Sequence, residues 1–318
     1  MFLDPLILFL ANVWLFARNR RLFKIHRRSL GCWPRPALPR DYTERMLWRK
    51  VVDRNPLFVV AADKLAAKEY VGRLCPELSI PRTLWVGFDA DDIPAELLCG
   101  DVWVKMSNAC NFNLHVQEGN VDRAALKRLT KGWMTTGYGQ ALGEWNYAKA
   151  RSRLFVEEGL RPESGILWDI SIRVAAGRCL LGSLARDIKS PNRTVYFLDA
   201  KGEPTLGLGD TDHAVPLVPP EDLPYRDAYR EAWQNAEIIG AAFDYVRVDF
   251  LWDGRRLFAG ELTIFPASGL TASTNTSVKR VTLEAWDLLN TYFLTQPQPW
   301  PASVYAGALR RTLQRDAA

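Results

Sequence analysis

Residues 246–269 read VRVDFLWDGRRLFAGELTIFPASG, and the fold turns on how this segment pairs with itself. Val246, Val248 and Phe250 alternate with Arg247, Asp249 and Leu251, the period of a strand with one face in a core. Leu257, Ala259, Glu261 and Thr263 alternate along a second strand, and Asp253-Gly254 marks the turn. A two-residue turn pairs Asp249 with Phe258 and sends Glu261 to the opposite face. A three-residue loop pairs Asp249 with Ala259 and Arg247 with Glu261. The acids then become diagonal neighbours, roughly 7–8 Å apart. Only an odd loop or a bulge therefore lets Asp249 and Glu261 share a hard cation such as magnesium. On the residues alone, a metal site and a solvent-facing strand pair with an Arg247–Glu261 contact are equally open.

Upstream of this segment the patterns alternate between helix and strand. A helix is expected over 43–52 with Thr43 as N-cap, and a second over 63–74 capped by Asp63. Short strands follow at 83–86, 101–106 and 113–116, then an amphipathic helix at 121–136. A second β-rich block has strands at 154–156, 169–174, 179–181 and 195–198. Residues 207–222 read as loop, 226–242 as helix, and 280–294 as a C-terminal helix. The whole reads as α+β, with two antiparallel β layers flanking a cleft.

Composition adds bounds. The 318 residues are 48% hydrophobic and 24% charged, enough for a sizeable core. A net charge of +5 is modest for this size, and nucleic acid is not expected as a partner. Arg18, Arg20, Arg21, Lys24, Arg27 and Arg28 hold much of the excess. The apolar run before them is too short and too interrupted to span a bilayer. It suits either a helix docked on the domain or one lying on an anionic membrane surface. Five cysteines without CxxC spacing and three histidines carry no zinc signature, and read as free thiols in a reducing cytosol.

The hairpin has company. The blocks ADKLAAKEYV (62–71), SIPRTLWV (79–86), DVWVKMSN (101–108) and RLFVEEGL (153–160) precede it in an order that resembles ATP-grasp enzymes. DRNPLFVVAADK (53–64) and GEWNYAKARSRLFVEE (143–158) sharpen the match to the TupA-like ATP-grasp family, associated with bacterial cell-surface polysaccharide and polymer synthesis.

The resemblance implies two α+β subdomains that clasp ATP between antiparallel sheets, behind a helical N-terminal extension. The expected divisions are residues 1–60 for the extension, 61–155 for the lid, 156–295 for the core and 296–318 for a tail. Lys64 and Lys105 match the lysines that reach ATP phosphates. Glu157 matches the acceptor for the adenine amino group, with the backbones of Glu158 and Leu160 on the ring edge and Val156 and Leu160 against its face. Asp169 matches the ribose ligand. Asp249, Glu261 and Thr263 match the magnesium positions, and Arg247 the arginine that stabilises the oxyanion. Arg186, Lys189, Arg193 and Ser268 are candidates for an acidic substrate.

One departure stands out. The family's phosphate loop is rich in glycine, whereas residues 107–113 read SNACNFN. Asn108 and Asn111 tolerate left-handed geometry and can replace part of that freedom.

The implied reaction joins a carboxylate, on a small molecule or glycan, to an amine such as an amino acid, through an acyl-phosphate. It consumes ATP with Mg2+ in the cytoplasm, at or near the inner face of the membrane. A hydroxyl-phosphorylating kinase, or a non-catalytic nucleotide-binding protein at the membrane, would present much the same residues.

Overall fold

A computed structural model describes residues 3–117, 119–162, 165–186, 193–206, 216–271 and 276–316. Five helices come first: α1 (Asp4–Arg18), α2 (Arg20–Leu30), α3 (Tyr42–Val51), α4 (Leu57–Ala62) and α5 (Lys64–Leu74). Strands β1 (Thr83–Gly87), β2 (Val102–Met106) and β3 (Asn113–Val116) follow, then α6 (Arg123–Thr135), α7 (Trp145–Lys149) and β4 (Leu154–Glu158). The second block holds β5 (Trp168–Ala175), β6 (Arg178–Arg186), β7 (Thr194–Leu198), α8 (Arg226–Gly240), β8 (Val246–Trp252) and β9 (Leu257–Thr263). Helices α9 (Thr276–Ala285), α10 (Tyr292–Thr295) and α11 (Ala302–Asp316) complete it.

Two antiparallel sheets result, one in the order β1-β4-β2-β3 and one in the order β7-β6-β5-β8-β9. In the first, Val102, Val104 and Met106 of β2 and Leu154 and Val156 of β4 pack with Leu126 and Trp133 of α6. In the second, Ile170, Ile172 and Val174 of β5 and Val246, Val248 and Phe250 of β8 pack with Ala232, Ala236 and Ile239 of α8. Alternation sends the remaining side chains of each sheet to its other face, so both sheets turn polar residues toward the cleft.

Two of the divisions read from sequence, and one helix cap, meet a different local arrangement. A boundary after residue 155 would cut β4, yet all of β4 pairs within the first sheet. Residues 302–316 form a helix packed along α1, where a tail was expected. Asp41, not Thr43, caps α3: its carboxylate accepts from the backbone of Thr43 at 2.8 Å and of Glu44 at 2.9 Å. A carboxylate beside the positive helix end outcompetes a hydroxyl. Asp63 caps α5 as expected, accepting from Leu65 N at 3.0 Å.

The β8–β9 register follows neither loop considered above. Trp252 pairs with Leu257 across a four-residue loop, which alone would place Glu261 on the wrong face. A bulge between Val248 and Phe250 restores it: Val248 pairs with Leu262 and Arg247 with Thr263. Gly260 and Glu261 thus together oppose Asp249. A Cβ at position 260 would lie 2.6 Å from the Asp249 carbonyl oxygen and 2.9 Å from its carbonyl carbon. Glycine is therefore a steric condition for the bulge. Leu257 and Ala259 consequently sit in the core, apart from Glu261 and Thr263.

Arg49 ties α3 to this hairpin. Its side chain is fully buried and donates to Asp244 Oδ2 at 2.7 Å and to the Ile264 carbonyl, just past β9, at 2.9 Å. Its guanidinium lies over the rings of Trp286 at 4.6 Å and Phe58 at 4.8 Å. Trp286 Nε1 donates to the same Asp244 oxygen at 2.8 Å. Arg49→Met strands the Asp244 charge in a dry site and should lower unfolding free energy by about 3–5 kcal/mol. Asp244→Asn in the same chain should recover part of that in urea titration. Gly260→Ala should cost about 1–3 kcal/mol in the same assay, and it should weaken ATP binding far more than its loss of stability explains.

Candidate functional site

The bulge sets Asp249 and Glu261 side by side on the face shared by Arg247 and Thr263. Arg247 grips Asp249 with two parallel bonds, Nε to Oδ1 at 2.7 Å and Nη2 to Oδ2 at 2.6 Å. Arg247 Nη2 also donates to Thr263 Oγ1 at 3.2 Å, and that hydroxyl donates to Asp249 Oδ2 at 3.2 Å. Burial opposes the Arg247 charge, yet the adjacent Asp249 outweighs it and holds the guanidinium above its ordinary pKa.

Glu261 pairs instead with Lys64 Nζ, in the first turn of α5, at 3.0 Å. The Lys64 charge holds the Glu261 carboxyl below the usual carboxylate range. Burial works against the Lys64 ammonium, but Glu261 and its neighbours outweigh it, and Lys64 is held above its ordinary value. Lys64 opens α5 because Asp63 fixes the start of that helix. Its Nζ also donates to the carbonyl of Ala109, within the glycine-free loop. In that loop Asn111 adopts the left-handed region at φ 62°, as expected. Asn108 does not: its amide is buried and tethers the loop to the Tyr147 and Ala150 carbonyls at 3.0 and 3.2 Å.

The first sheet contributes a second polar cluster. Glu157 is buried on the cleft face of β4 and is paired by both Lys105 and Lys68, the latter at 2.6 Å. Lys68 also donates to the Pro81 carbonyl at 2.6 Å, and burial lowers its pKa. Sequence reasoning missed Lys68, although it stands four residues after Lys64 and so on the same face of α5. With both its oxygens engaged, Glu157 meets an incoming base only by exchanging partners. Glu158 points elsewhere: its carboxylate pairs with Arg82 at 2.6 Å and its N–H donates to the Arg82 carbonyl at 3.0 Å. That backbone N–H is thus committed within the sheet. Val156 packs in the core under α6 and is not a cleft side chain. Leu160 is half-buried just beyond β4.

Asp169 lies on the cleft face of β5, one pair along from Ser171, which sits opposite Asp249. The basic candidates separate. Arg186 shares the face of Leu184, away from Asp249, because alternation along β6 puts Ser183 and Ala185 toward the cleft. Arg193 is exposed before β7, and Lys189 lies outside the described residues. Arg173, which the sequence did not single out, is directly opposite Arg247 on the cleft face. Its buried Nε and Nη1 have no hydrogen-bond partner among the described residues. Its only sequence signal was its place in the outward-facing half of an alternating strand.

Ser268 belongs to a tight turn in which Ala267, Ser268 and Gly269 have φ of 46°, 55° and 64°. Two side chains in the left-handed region store strain that the surroundings must hold. Lys50 Nζ does so, donating to the Ser268 carbonyl at 2.8 Å, while Ser268 Oγ donates to Glu144. Burial pushes Lys50 down to about 8 and Glu144 up from the usual carboxylate value. Neither residue stood out in the sequence, since an isolated Lys and Glu carry no spacing signal.

Lys64, Lys68, Lys105 and Arg247 thus pair with Glu157, Asp249 and Glu261 along the cleft. Four cations against three carboxylates leave the site receptive to an anion. Among the described residues no three His, Cys, Asp or Glu side chains gather as metal ligands. Asp249 and Glu261 offer hard carboxylate oxygens, a donor set that fits magnesium completed by phosphate oxygens and water.

No curated protein matches the chain. Among solved structures it is similar to the ATP-grasp ligase PsnB complexed with minimal precursor, at 13% identity and TM-score 0.39, covering 77% of this chain and 66% of that one. It is also similar to an L-amino acid ligase from Bacillus licheniformis, at 12% identity and TM-score 0.41, over 72% of this chain and 48% of the other. A D-alanine–D-alanine ligase from Bacillus anthracis complexed with ATP is similar at 13% identity and TM-score 0.39, over 81% and 67%. The chain thus spans between about half and two thirds of these proteins. The decisive match is to a family model, TupA-like ATPgrasp, over residues 44–282, which takes in both sheets, the lysines of α5 and β2 and the bulged hairpin: the chain belongs to the TupA-like ATP-grasp family.

Proposed function

We propose that this protein is an ATP-dependent ligase that activates a substrate carboxylate as an acyl-phosphate and transfers it to an amine. One observation carries the proposal. The Gly260 bulge sets Glu261 beside Asp249, and Lys64, from the first turn of α5, meets Glu261 at 3.0 Å. Two acids and a phosphate-binding lysine within contact distance are suited to a metal–triphosphate.

Lys64 and Lys105 serve as point-charge partners for the phosphates. They are released for that task when the nucleotide takes over from Glu261 and Glu157. Asp249 and Glu261 would hold Mg2+, with Thr263 on the same face, and a metal bound there would supply charge neutralisation for the transferring phosphoryl group. Asp169 takes the ribose, and Leu160 packs against the base. Arg247, locked in one plane by Asp249, stabilises the oxyanion that forms when the amine attacks. Arg173, with unsatisfied N–H groups next to it, binds the substrate carboxylate or the acyl-phosphate. Catalysis is then mainly positioning and electrostatics. The Ser268 turn with Lys50 and Glu144 borders the acceptor side.

Membership of a family associated with bacterial cell-surface polymers supports a uronic acid or an acidic polymer as the carboxylate, and an amino acid as the amine. The need for ATP puts the reaction in the cytoplasm.

The test is ADP release by the purified chain with candidate carboxylates, with and without amines. Glu261→Gln should lower ADP formation at least ~100-fold while leaving the unfolding midpoint nearly unchanged. Unaltered ADP formation would remove Glu261 from the mechanism. A stable phosphorylated hydroxyl product formed without any amine would turn the assignment to a kinase.

A further inference from the structure

We propose that α1 and α2 form a docking surface for an anionic lipid bilayer, with α1 lying flat in the headgroup region and α2 pressing its cations against the lipid phosphates.

Helix α1 is apolar on two faces. Leu8 and Leu15 turn inward, and Asp4 is buried beside α11, where Arg311 grips it at 2.6 Å and Arg315 at 3.0 Å. These contacts fix the rotation of the helix. The opposite face then carries Leu6, Phe9, Leu10, Val13 and Trp14, each between 49% and 64% exposed. Their spacing of three and four residues makes one continuous stripe along the helix. A soluble surface scatters such side chains singly; a stripe of five marks something that covers it.

The cations are next to it. On α2, Arg20, Arg21, Lys24, Arg27 and Arg28 are exposed, while Phe23 and His26 are buried. No acid interrupts residues 18–28. His26 fastens this helix to the body, its Nε2 lying 3.2 Å from Thr43 Oγ1. Phe16 of α1 meets Phe23 of α2 edge-on at 5.3 Å, and further aromatic contacts surround that pair. Arg18 lies over Trp14 at 5.1 Å, Phe16 meets Trp33 edge-on at 5.7 Å, and Arg27 lies over Trp33 at 5.1 Å. Tryptophan with arginine at an apolar–polar border is the composition of a bilayer interface.

Length excludes spanning for α1. Fifteen residues reach about 22 Å, short of the roughly 30 Å hydrocarbon core. No helix among the described residues is long and apolar enough to cross. Charge argues against a second copy as the occupant. Pairing two stripes would bring two sets of α2 cations toward one another, whereas an anionic surface satisfies both features.

The test is flotation of the full-length protein with vesicles of phosphatidylcholine, with and without phosphatidylglycerol, at low and high salt. Binding should require the anionic lipid and weaken as salt screens it. Leu10→Ser/Trp14→Ser and, separately, Lys24→Glu/Arg28→Glu should each reduce binding at least ~10-fold. Unfolding midpoint and ATP affinity should stay unchanged, because all four residues are exposed and outside the cleft. The proposal is overturned if the protein ignores anionic vesicles or if both variants bind like the parent. It is also overturned if the protein self-associates without lipid and Leu10→Ser/Trp14→Ser abolishes that association, which would make a second copy the occupant. The outcome is independent of the ligase reading, since no step involves ATP turnover.

Discussion

The backbone of β8 approaches β9 so closely at Asp249 that a methyl group on residue 260 would sit 2.6 Å from a carbonyl oxygen. The bulge made there converts an even loop, which would divide the two acids between sheet faces, into a pairing that unites them. Lys64, Arg247 and Thr263 all engage carboxylates whose direction that single extra residue determines. Arg49 supports it from beneath, bonded to the carbonyl of Ile264 one residue past the strand. A buried guanidinium among three aromatic rings is an expensive way to hold a strand end. It does, however, leave the hairpin little freedom to slip.

The two sheets divide the work. The second carries the acids and the arginines on rigid neighbouring strands, and the first carries Lys105 and Glu157. Helix α5 reaches both, with Lys64 directed to Glu261 and Lys68 to Glu157. The helix thereby reports on both walls of the cleft at once. The loop at 107–113 follows the same logic without glycine: one asparagine takes the left-handed turn and the other ties the loop down.

Much of this was legible in the sequence, and what was hidden has a common cause. Alternation in β8 identified the core and cleft faces, Asp63 announced the start of α5, and Asn111 took the strained position its side chain permits. These are local properties. The bulge at Gly260 was legible only as a requirement, because the approach of two backbones has no residue pattern beyond a glycine. Arg186 sits where strand parity puts it, away from the cleft in which the family resemblance sets it as a substrate candidate. Lys68, Arg173, Lys50 and Glu144 became visible once distant strands and helices met. Helix α11 went unread because its apolar residues are few and its partner is α1, almost the whole chain away. The bundle of acids and lysines was anticipated through its resemblance to a family, not through spacing.

A cleft whose carboxylates are all paired already can work like an ion exchanger. Under the function proposed above, a triphosphate that draws Lys64 from Glu261 would take away that carboxylate's nearest counter-charge, and a bare nucleotide would have none to offer it. One that arrives with a divalent ion would replace the lost ammonium as it removes it. On that proposed assignment, metal-free nucleotide would be disfavoured by the protein's own resting salt bridges, before any chemistry begins.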